Sequence, residues 1–429
     1  EQELLTCKDE ALTVTYGKKM IPLKKSVHIY EADLFSNTMY LKHKSMPHYP
    51  AYRYEGMPIF FVSSVQKEDI EVVDMHVATK LDIIQSIFFI LSNYEEQIQT
   101  EDILYDEHGR LKLENRTLYK EEYFDRPIVN DYSRFFCKLS ERIGVKGLWN
   151  VPRHMSAHVS HDVDYPYEIT LGDRLQILLF GRILGLPVKR IISSGSETIS
   201  TIEKENDIVS SWYFKGGGKS KYDDRYKITN GCILEFVSEL KERGCEIGFH
   251  YSYAASEDEG LAKRESELVK KSLDIDYLCG RNHFLRCKSA KSWKIYEKIG
   301  IVYDTTQGCA ECEGFMNGIC IPYKLFDVQN NCELNVWEIP LLVMDGTLRR
   351  ETYRNYTADE ALDRINELLK VVLEFSGVFT ILWHNTSIHG KYWEAWFEEV
   401  YKPTMKVIGR VYRCSMKGTD IINKYNMNE

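Results

Sequence analysis

Ser160-His161-Asp162-Val163-Asp164 closes an alternating run in which Met155, Ala157 and Val159 are apolar. Alternation with period two predicts a β-strand with one buried face. Side chains at i and i+2 of a strand share a side, so Asp162 and Asp164 reach one small volume at its C-terminal tip. Two acids in one volume suit a metal ligand beside a general base, or an acid/base pair. Gly248-Phe249-His250, Arg281-Asn282-His283 and Leu382-Trp383-His384-Asn385 sit at or near the ends of other strand-like runs. A lone histidine reads as a hydrogen-bonded core or surface residue. Four strand-end motifs in one region point instead to a shared site.

Outward from these motifs, residues 153 onward alternate between strand-like and helix-like runs. The spacing predicts strands over 155–161, 209–214, 245–250, 282–286, 300–304, 337–344 and 377–383. It predicts helices over 230–243, 259–273, 288–298 and 357–376, with Gly244 and Gly300 placed as C-terminal stops. Alternating β and α predicts a parallel sheet, and chemistry at the C-terminal ends of strands is the habit of α/β barrels. Residues 1–150 read as a smaller, mixed α/β domain. It has short strands over 12–16 and 58–62, an amphipathic helix over 80–97 and a second helix over 131–143. Gly144–Pro152 reads as the connection to the domain spanning 151–429. Glu95, Glu96, Asp106 and Arg110 read as a solvated face, with a lid or docking surface as the functional alternative.

With 429 residues the chain is long for a single domain. Its 44% hydrophobic and 28% charged residues are those of an ordinary globular protein, and a net charge of −9 argues against a nucleic-acid binder. Eleven scattered cysteines fit free thiols in a reducing compartment, hence a cytoplasmic location, rather than a disulfide framework. Cys309 and Cys312 have the spacing of half a zinc site, but Cys320 and Cys332 form no second close pair, which favours a loop with free thiols. No apolar run is long enough to span a bilayer. Residues 175–192 come nearest and read as an amphipathic helix, packed on its own domain or in peripheral contact with a membrane. No signal peptide is visible at Glu1–Leu5; the chain begins without Met, and a removed leader stays open. Gly216-Gly217-Gly218-Lys219-Ser220 fails the phosphate-loop pattern, because Tyr213 stands where its first glycine belongs. It reads as a flexible loop over the site.

Asp and His together are a common ligand set for Zn²⁺ and similar divalent ions. An open-sided metal beside a carboxylate base activates water, and a protonated His can give a proton to a leaving group. The combination predicts metal-assisted hydrolysis of an amide or ester.

In chain order the motifs are Asp162-Val-Asp164, Glu246-Ile-Gly-Phe-His250-Tyr-Ser252, Arg281-Asn-His283-Phe-Leu-Arg286, Tyr303-Asp304-Thr-Thr306, Glu338-Ile-Pro-Leu-Leu-Val-Met-Asp345 and Leu382-Trp-His384-Asn385. This order resembles the polysaccharide deacetylase superfamily, carbohydrate esterase family 4. It is similar in particular to a bacterial branch with a His-Asp-Val-Asp signature, met in capsule and O-antigen gene clusters. Phe88–Glu96 with Arg126-Pro-Ile-Val129 resembles the N-terminal domain of unknown function that accompanies that branch. The resemblance implies an irregular (β/α) barrel of about seven strands. It implies removal of an N-acetyl group from an amino sugar, within a glycan or a lipid- or nucleotide-linked precursor.

By the same resemblance Asp162 is the general base and Arg281 its orienting partner. His384 is the general acid, kept protonated by Asp345. Asp164 and His250 are ligands of a divalent metal, Zn²⁺ first among the candidates. Ser252, Tyr253, Asp304, Trp383 and Asn385 fall at substrate-binding positions. The family's second motif carries another His four residues after the first, where this chain has Ala254. His283 is the candidate replacement, with His158 and His161 as alternatives. Loss of that ligand also leaves open a catalytically silent sugar-binding or scaffold protein. A deacylase acting on formyl or O-acetyl groups is a further alternative.

Overall fold

The computed structural model describes residues 3–7, 10–20, 25–99, 101–148, 154–167, 175, 178–179, 194–224, 226–388 and 392–426. Seven short strands come first: β1 (Glu3–Cys7), β2 (Glu10–Gly17), β3 (Ser26–Tyr30), β4 (Tyr52–Tyr54), β5 (Met57–Ile59), β6 (Ile70–Val73) and β7 (His76–Thr79). Five of them form a sheet in the order β1-β2-β3-β7-β6, and β4 and β5 pair as a hairpin. The amphipathic stretch predicted over 80–97 is two helices, Ile83–Leu91 and Tyr94–Ile98. Asn93 breaks it by adopting the left-handed conformation (φ 51°), which Asn tolerates better than most residues. Asp82 caps the first helix by accepting from Gln85 N at 2.9 Å. The helix predicted over 131–143 runs from Ile128 to Glu141.

The rest of the chain builds β8 (Ser156–Val163), β9 (Ser210–Lys215), β10 (Glu246–Tyr251), β11 (Leu278–Asn282), β12 (Ile301–Asp304), β13 (Tyr323–Asp327), β14 (Cys332–Glu338), β15 (Val343–Met344) and β16 (Val378–Leu382). They form one sheet of nine strands, ordered β13-β14-β12-β11-β10-β9-β8-β16-β15. Every pairing is parallel except that of β13 with β14. The sheet curls into a half-barrel whose edge strands, β13 and β15, do not pair with each other.

The expected seven-strand barrel is thus corrected to nine strands. The run predicted over 337–344 contains the end of β14 and all of β15. The antiparallel β13 was not foreseen. The strand predicted over 282–286 lies earlier, at 278–282, and a tight turn over His283–Leu285 follows it. The helices at Gly231–Glu242, Glu259–Ser272, Ser289–Ile299 and Ala358–Glu374 fall where the sequence places them. Gly300 caps the third of these with φ 75° and Gly244 follows the first with φ 79°, as glycine stops do.

β8 is buried over its whole length, not on one face only. The two faces nevertheless differ in chemistry. Ala157, Val159 and Val163 join the main apolar core. His158, Ser160 and Asp162 join a polar network inside the curl. There His158 Nε2 meets Ser211 Oγ at 3.1 Å, Ser211 Oγ donates to Glu246 at 2.8 Å, and Tyr213 OH meets Tyr303 OH at 3.1 Å. Glu246, at the start of β10, also accepts from Gly418 N at 3.0 Å and Thr419 N at 3.2 Å. These donors open the helix Gly418–Asn426, so a carboxylate meets a helix N-terminus and closes the lower end of the curl. Chemistry is left to the upper, C-terminal ends of the strands.

Gly248 is required by this packing. A Cβ there would lie 2.6 Å from both Cys279 O and Tyr213 Cδ1. The absent side chain gives Tyr213 its place in the interior, with the Arg281 guanidinium 5.2 Å from its ring centre. Gly248→Ala is expected to destabilise the fold by about 1–3 kcal/mol, the usual cost of over-packing. Urea unfolding reads this directly, and an unchanged midpoint would contradict the packing.

The stretch predicted as an amphipathic helix over 175–192 lies outside the described residues, apart from Leu175, Leu178 and Leu179, which are exposed. Part of the expected 144–152 connection lies outside them too. Among the described residues no helix is long and apolar enough to cross a membrane.

Candidate active site

The strand tips bring the motifs together as parallel register requires. Arg281 lies beside His250 across β10 and β11, and His250 lies beside Lys215 across β10 and β9. Asp162 and Asp164 share the inner side, with Asp164 one residue beyond the end of β8. An open cleft of about 500 Å³, counting the solvent at its mouth, is lined by Asp162, Asp164, His283, His384, Arg110 and Tyr353 among others.

Asp162 is buried and accepts from Arg281 Nη1 at 3.0 Å. The fully buried guanidinium spends its other donors on Ser160 Oγ (2.9 Å), Thr305 O (2.9 Å) and Thr305 Oγ1 (3.2 Å). A planar cation held at four acceptors fixes the carboxylate it faces.

His384 Nδ1 pairs with Asp345 Oδ1 at 2.7 Å, and its backbone N–H donates to Asp345 Oδ2 at 3.0 Å. Burial alone would lower the imidazole pKa. The buried Asp345 carboxylate, helped by Asp164 and Asp162, outweighs this and pushes His384 up to about 9. Asp345, in turn, is held below the usual carboxylate range against its own burial by His384.

Asp164, His250 and His283 form a compact donor set, one ligand atom from each lying within 4.8 Å of the others. Among the described residues no other group of three such side chains is found. His250 Nδ1 donates to Arg281 O at 2.9 Å, which turns Nε2 inward. That buried Nε2 has no hydrogen-bond partner among the described residues. It lies 3.4 Å from Asp164 Oδ1, and His283 Nε2 lies 3.3 Å from the same oxygen. His283 Nδ1 faces Asp223 Oδ1 at 3.3 Å, so both rings have outer partners. Burial, with Lys215 close by, takes the His283 pKa down to about 4, leaving a neutral imidazole. Two imidazoles and a carboxylate, with one ring nitrogen unpartnered among the described residues, fit a divalent metal.

His283 is therefore the histidine brought to Asp164 and His250; the other two are elsewhere. His158 lies buried against Ser211, and His161 donates to Trp383 O and pairs with Glu203 at 2.8 Å on the far side of β8. Ala254 is exposed on the loop after β10. Cys309 and Cys312 join no larger ligand group among the described residues.

The residues expected at substrate-binding positions do not line the cleft. Ser252 is buried and donates to Glu265 at 2.9 Å. Asp304 is buried beside Glu338, and desolvation raises its pKa above the usual carboxylate range. Trp383 packs on Tyr401 with ring centres 4.9 Å apart. Asn385 is buried beside Asp164. Its Oδ1 accepts from Asp164 N at 3.3 Å, while Nδ2 donates to Tyr165 O at 2.9 Å. Tyr253 is half-buried in an aromatic cluster with His108, Tyr222 and Phe284, its ring centre 4.4 Å from that of Tyr222.

Three features escaped the sequence reading. Lys215 ends β9 one residue beyond the predicted strand. It is buried, with Nζ 2.8 Å from Asp164 Oδ1 and 3.3 Å from His283 Nε2. Arg110 comes from the N-terminal part of the chain, donates to Phe284 O at 3.0 Å and reaches the cleft. Arg286 returns the contact by donating to His108 O at 3.0 Å. Glu95 and Glu96, expected on a solvated face, are buried; Glu96 accepts from Ser289 N at 3.0 Å and Glu95 from Thr117 N at 2.9 Å. The face read as solvated is an internal contact, because burying these carboxylates requires the donors that Ser289 and Thr117 supply.

Residues 2–143 match the model of a family of unknown function, DUF7033. No curated protein sequence matches the chain. Among solved structures, it is similar to a protein of Mycobacterium smegmatis provisionally named a polysaccharide deacetylase. That match has 14% identity and a TM-score of 0.45, and covers 66% of this chain and 93% of the other. It is also similar to the polysaccharide deacetylase Bc1974 of Bacillus cereus, at 12% identity and a TM-score of 0.30, covering 61% and 89% respectively.

Proposed function

We propose that the chain is a metal-dependent hydrolase that removes an N-acetyl group from an amino sugar, in a glycan or in a lipid- or nucleotide-linked precursor. One observation carries this reading. Asp162, paired with Arg281, and His384, paired with Asp345, line one cleft, and the donor set approaches both, with His250 3.9 Å from Asp162 and His384 3.9 Å from Asp164. Base, acid and candidate metal ligands thus converge on a volume suited to an acyl group.

A divalent ion held by Asp164, His250 and His283, Zn²⁺ first among the candidates, would polarise the acyl carbonyl and acidify water. Asp162, aimed by Arg281, takes the proton from the attacking water. His384, protonated at Nε2 while Asp345 holds Nδ1, gives a proton to the leaving amine. The C–O bond forms, the C–N bond breaks, and acetate and a free amino sugar result. Phe284, which lines the cleft, offers the apolar face of a sugar ring a stacking partner.

The test is acetate release from N-acetylhexosamine oligomers and from nucleotide- and lipid-linked N-acetyl sugars, with N-formyl and O-acetyl compounds alongside. Release of acetate from the amide, abolished in Asp162→Asn, supports the proposal. Release from formyl or ester compounds alone would replace it with another deacylase. Sugar binding with no release from any of them would favour a silent sugar-binding protein.

A further inference from the structure

The donor set already contains a cation. Lys215 Nζ is 2.8 Å from Asp164 Oδ1, the oxygen that His250 Nε2 and His283 Nε2 also face, and 3.3 Å from His283 Nε2 itself. Lys215 is 1% exposed, so water screens this pair poorly. Its backbone is fixed by pairing with His250 across β9 and β10, leaving the side chain as the part that can move. A second carboxylate, Asp224, lies 4.0 Å from Nζ and is 44% exposed at its side chain. A lysine carries its charge on a flexible four-carbon stem, so it can exchange one carboxylate for the other with its backbone in place.

The geometry points to Lys215 as a built-in competitor for the metal position. Resting on the metal reading above, this assigns Asp164 two alternative cations, the ammonium and a divalent ion. An ammonium 2.8 Å from Oδ1 stands inside the space an ion would need, because metal–oxygen contacts are about 2.0–2.2 Å for Zn²⁺ and like charges repel at such range. A divalent ion therefore binds by displacing Nζ towards Asp224. Lys215 sets how tightly the ion is held without being a ligand.

The experiment is a titration of the full chain with Zn²⁺ against a chromogenic chelator, which reads affinity with no substrate present. Lys215→Met removes the charge and keeps the length of the stem. It is expected to tighten Zn²⁺ binding tenfold or more, whereas Lys215→Arg keeps the wild-type affinity or weakens it. Lys271→Met, which removes an exposed charge elsewhere, is expected to change nothing. Should Lys215→Met lower the melting temperature, the neutral and polar Lys215→Gln carries the same expectation. Binding to the wild type but not to Lys215→Met would overturn the proposal, making Lys215 a support of the site. So would equal affinities. Both outcomes leave the metal reading intact. Binding by neither protein would remove the metal reading and this proposal together.

Discussion

His384→Ala is expected to lower kcat by about 10²–10⁴-fold, the range general acids contribute, with a much smaller change in KM. On the proposed function the leaving group is an amine, which departs poorly as an anion, so loss of the proton donor falls on the C–N cleavage step. The pH dependence carries the same information. With its pKa raised to about 9, His384 holds its proton below that value and loses it above. The wild-type kcat should therefore fall as pH rises through about 9. Asp345→Asn removes the main cause of the raised pKa and should move this alkaline limb to lower pH. Linkage gives the same sign for stability. A folded pKa above the ordinary 6.5 contributes stability that is full below about 6.5 and lost as pH rises through about 9. An Asp345→Asn enzyme with an unmoved limb would show that another group is the acid.

Arg281→Met is expected to have the largest effect on stability, about 3–5 kcal/mol, because it breaks a buried ion pair from one side. Asp162 would remain in the interior without its cation, and Thr305 O and Ser160 Oγ would lose their donors. The flat Tyr213 ring beneath the guanidinium would lose its partner as well. Denaturant unfolding monitored by far-UV circular dichroism measures this. A loss under about 1 kcal/mol would mean that water enters and replaces the guanidinium, which the full burial of Arg281 argues against. Activity should fall with stability, since the guanidinium also aims the base.

The site was legible where one strand supplied its own evidence. Asp162 and Asp164 announce themselves by spacing i, i+2, and His384 by following a strand that is apolar except at Thr380. His283 was preferred over His158 and His161, and the structure supplies the physical reason. β11 stops at Asn282, and Phe284 and Leu285 turn the chain with φ 61° and 52°, so the ring at 283 swings over the strand tips. His161, by contrast, points to the outer face of β8 because its parity is opposite to that of Asp162.

What failed was information carried between distant segments. Lys215 was lost because the apolar run of β9 ends at Phe214, and the strand was stopped there. One more residue of the same parity as Tyr213 places an ammonium beside Asp164 and His283. Arg110 fits the docking alternative rather than the solvated face, since it donates to Phe284 O at 3.0 Å, a contact that nothing within residues 101–112 specifies. The buried Glu96 was mistaken for a surface residue for the same reason: its donor, Ser289, is remote in sequence. The strand count erred at β13 and β15, the two edges. β15 is two residues long, and β13 pairs antiparallel in a sheet that otherwise runs parallel.

The proposed function stands on Asp164, His250 and His283 holding one divalent ion beside the Asp162–Arg281 and His384–Asp345 pairs. The direct measurement is the stoichiometry and affinity of Zn²⁺ binding by the wild type and by His283→Ala, with folding checked by circular dichroism. One equivalent bound by the wild type is expected, with at least a tenfold loss of affinity in His283→Ala and the fold retained. No saturable binding by the wild type, or undiminished binding by His283→Ala, would contradict it.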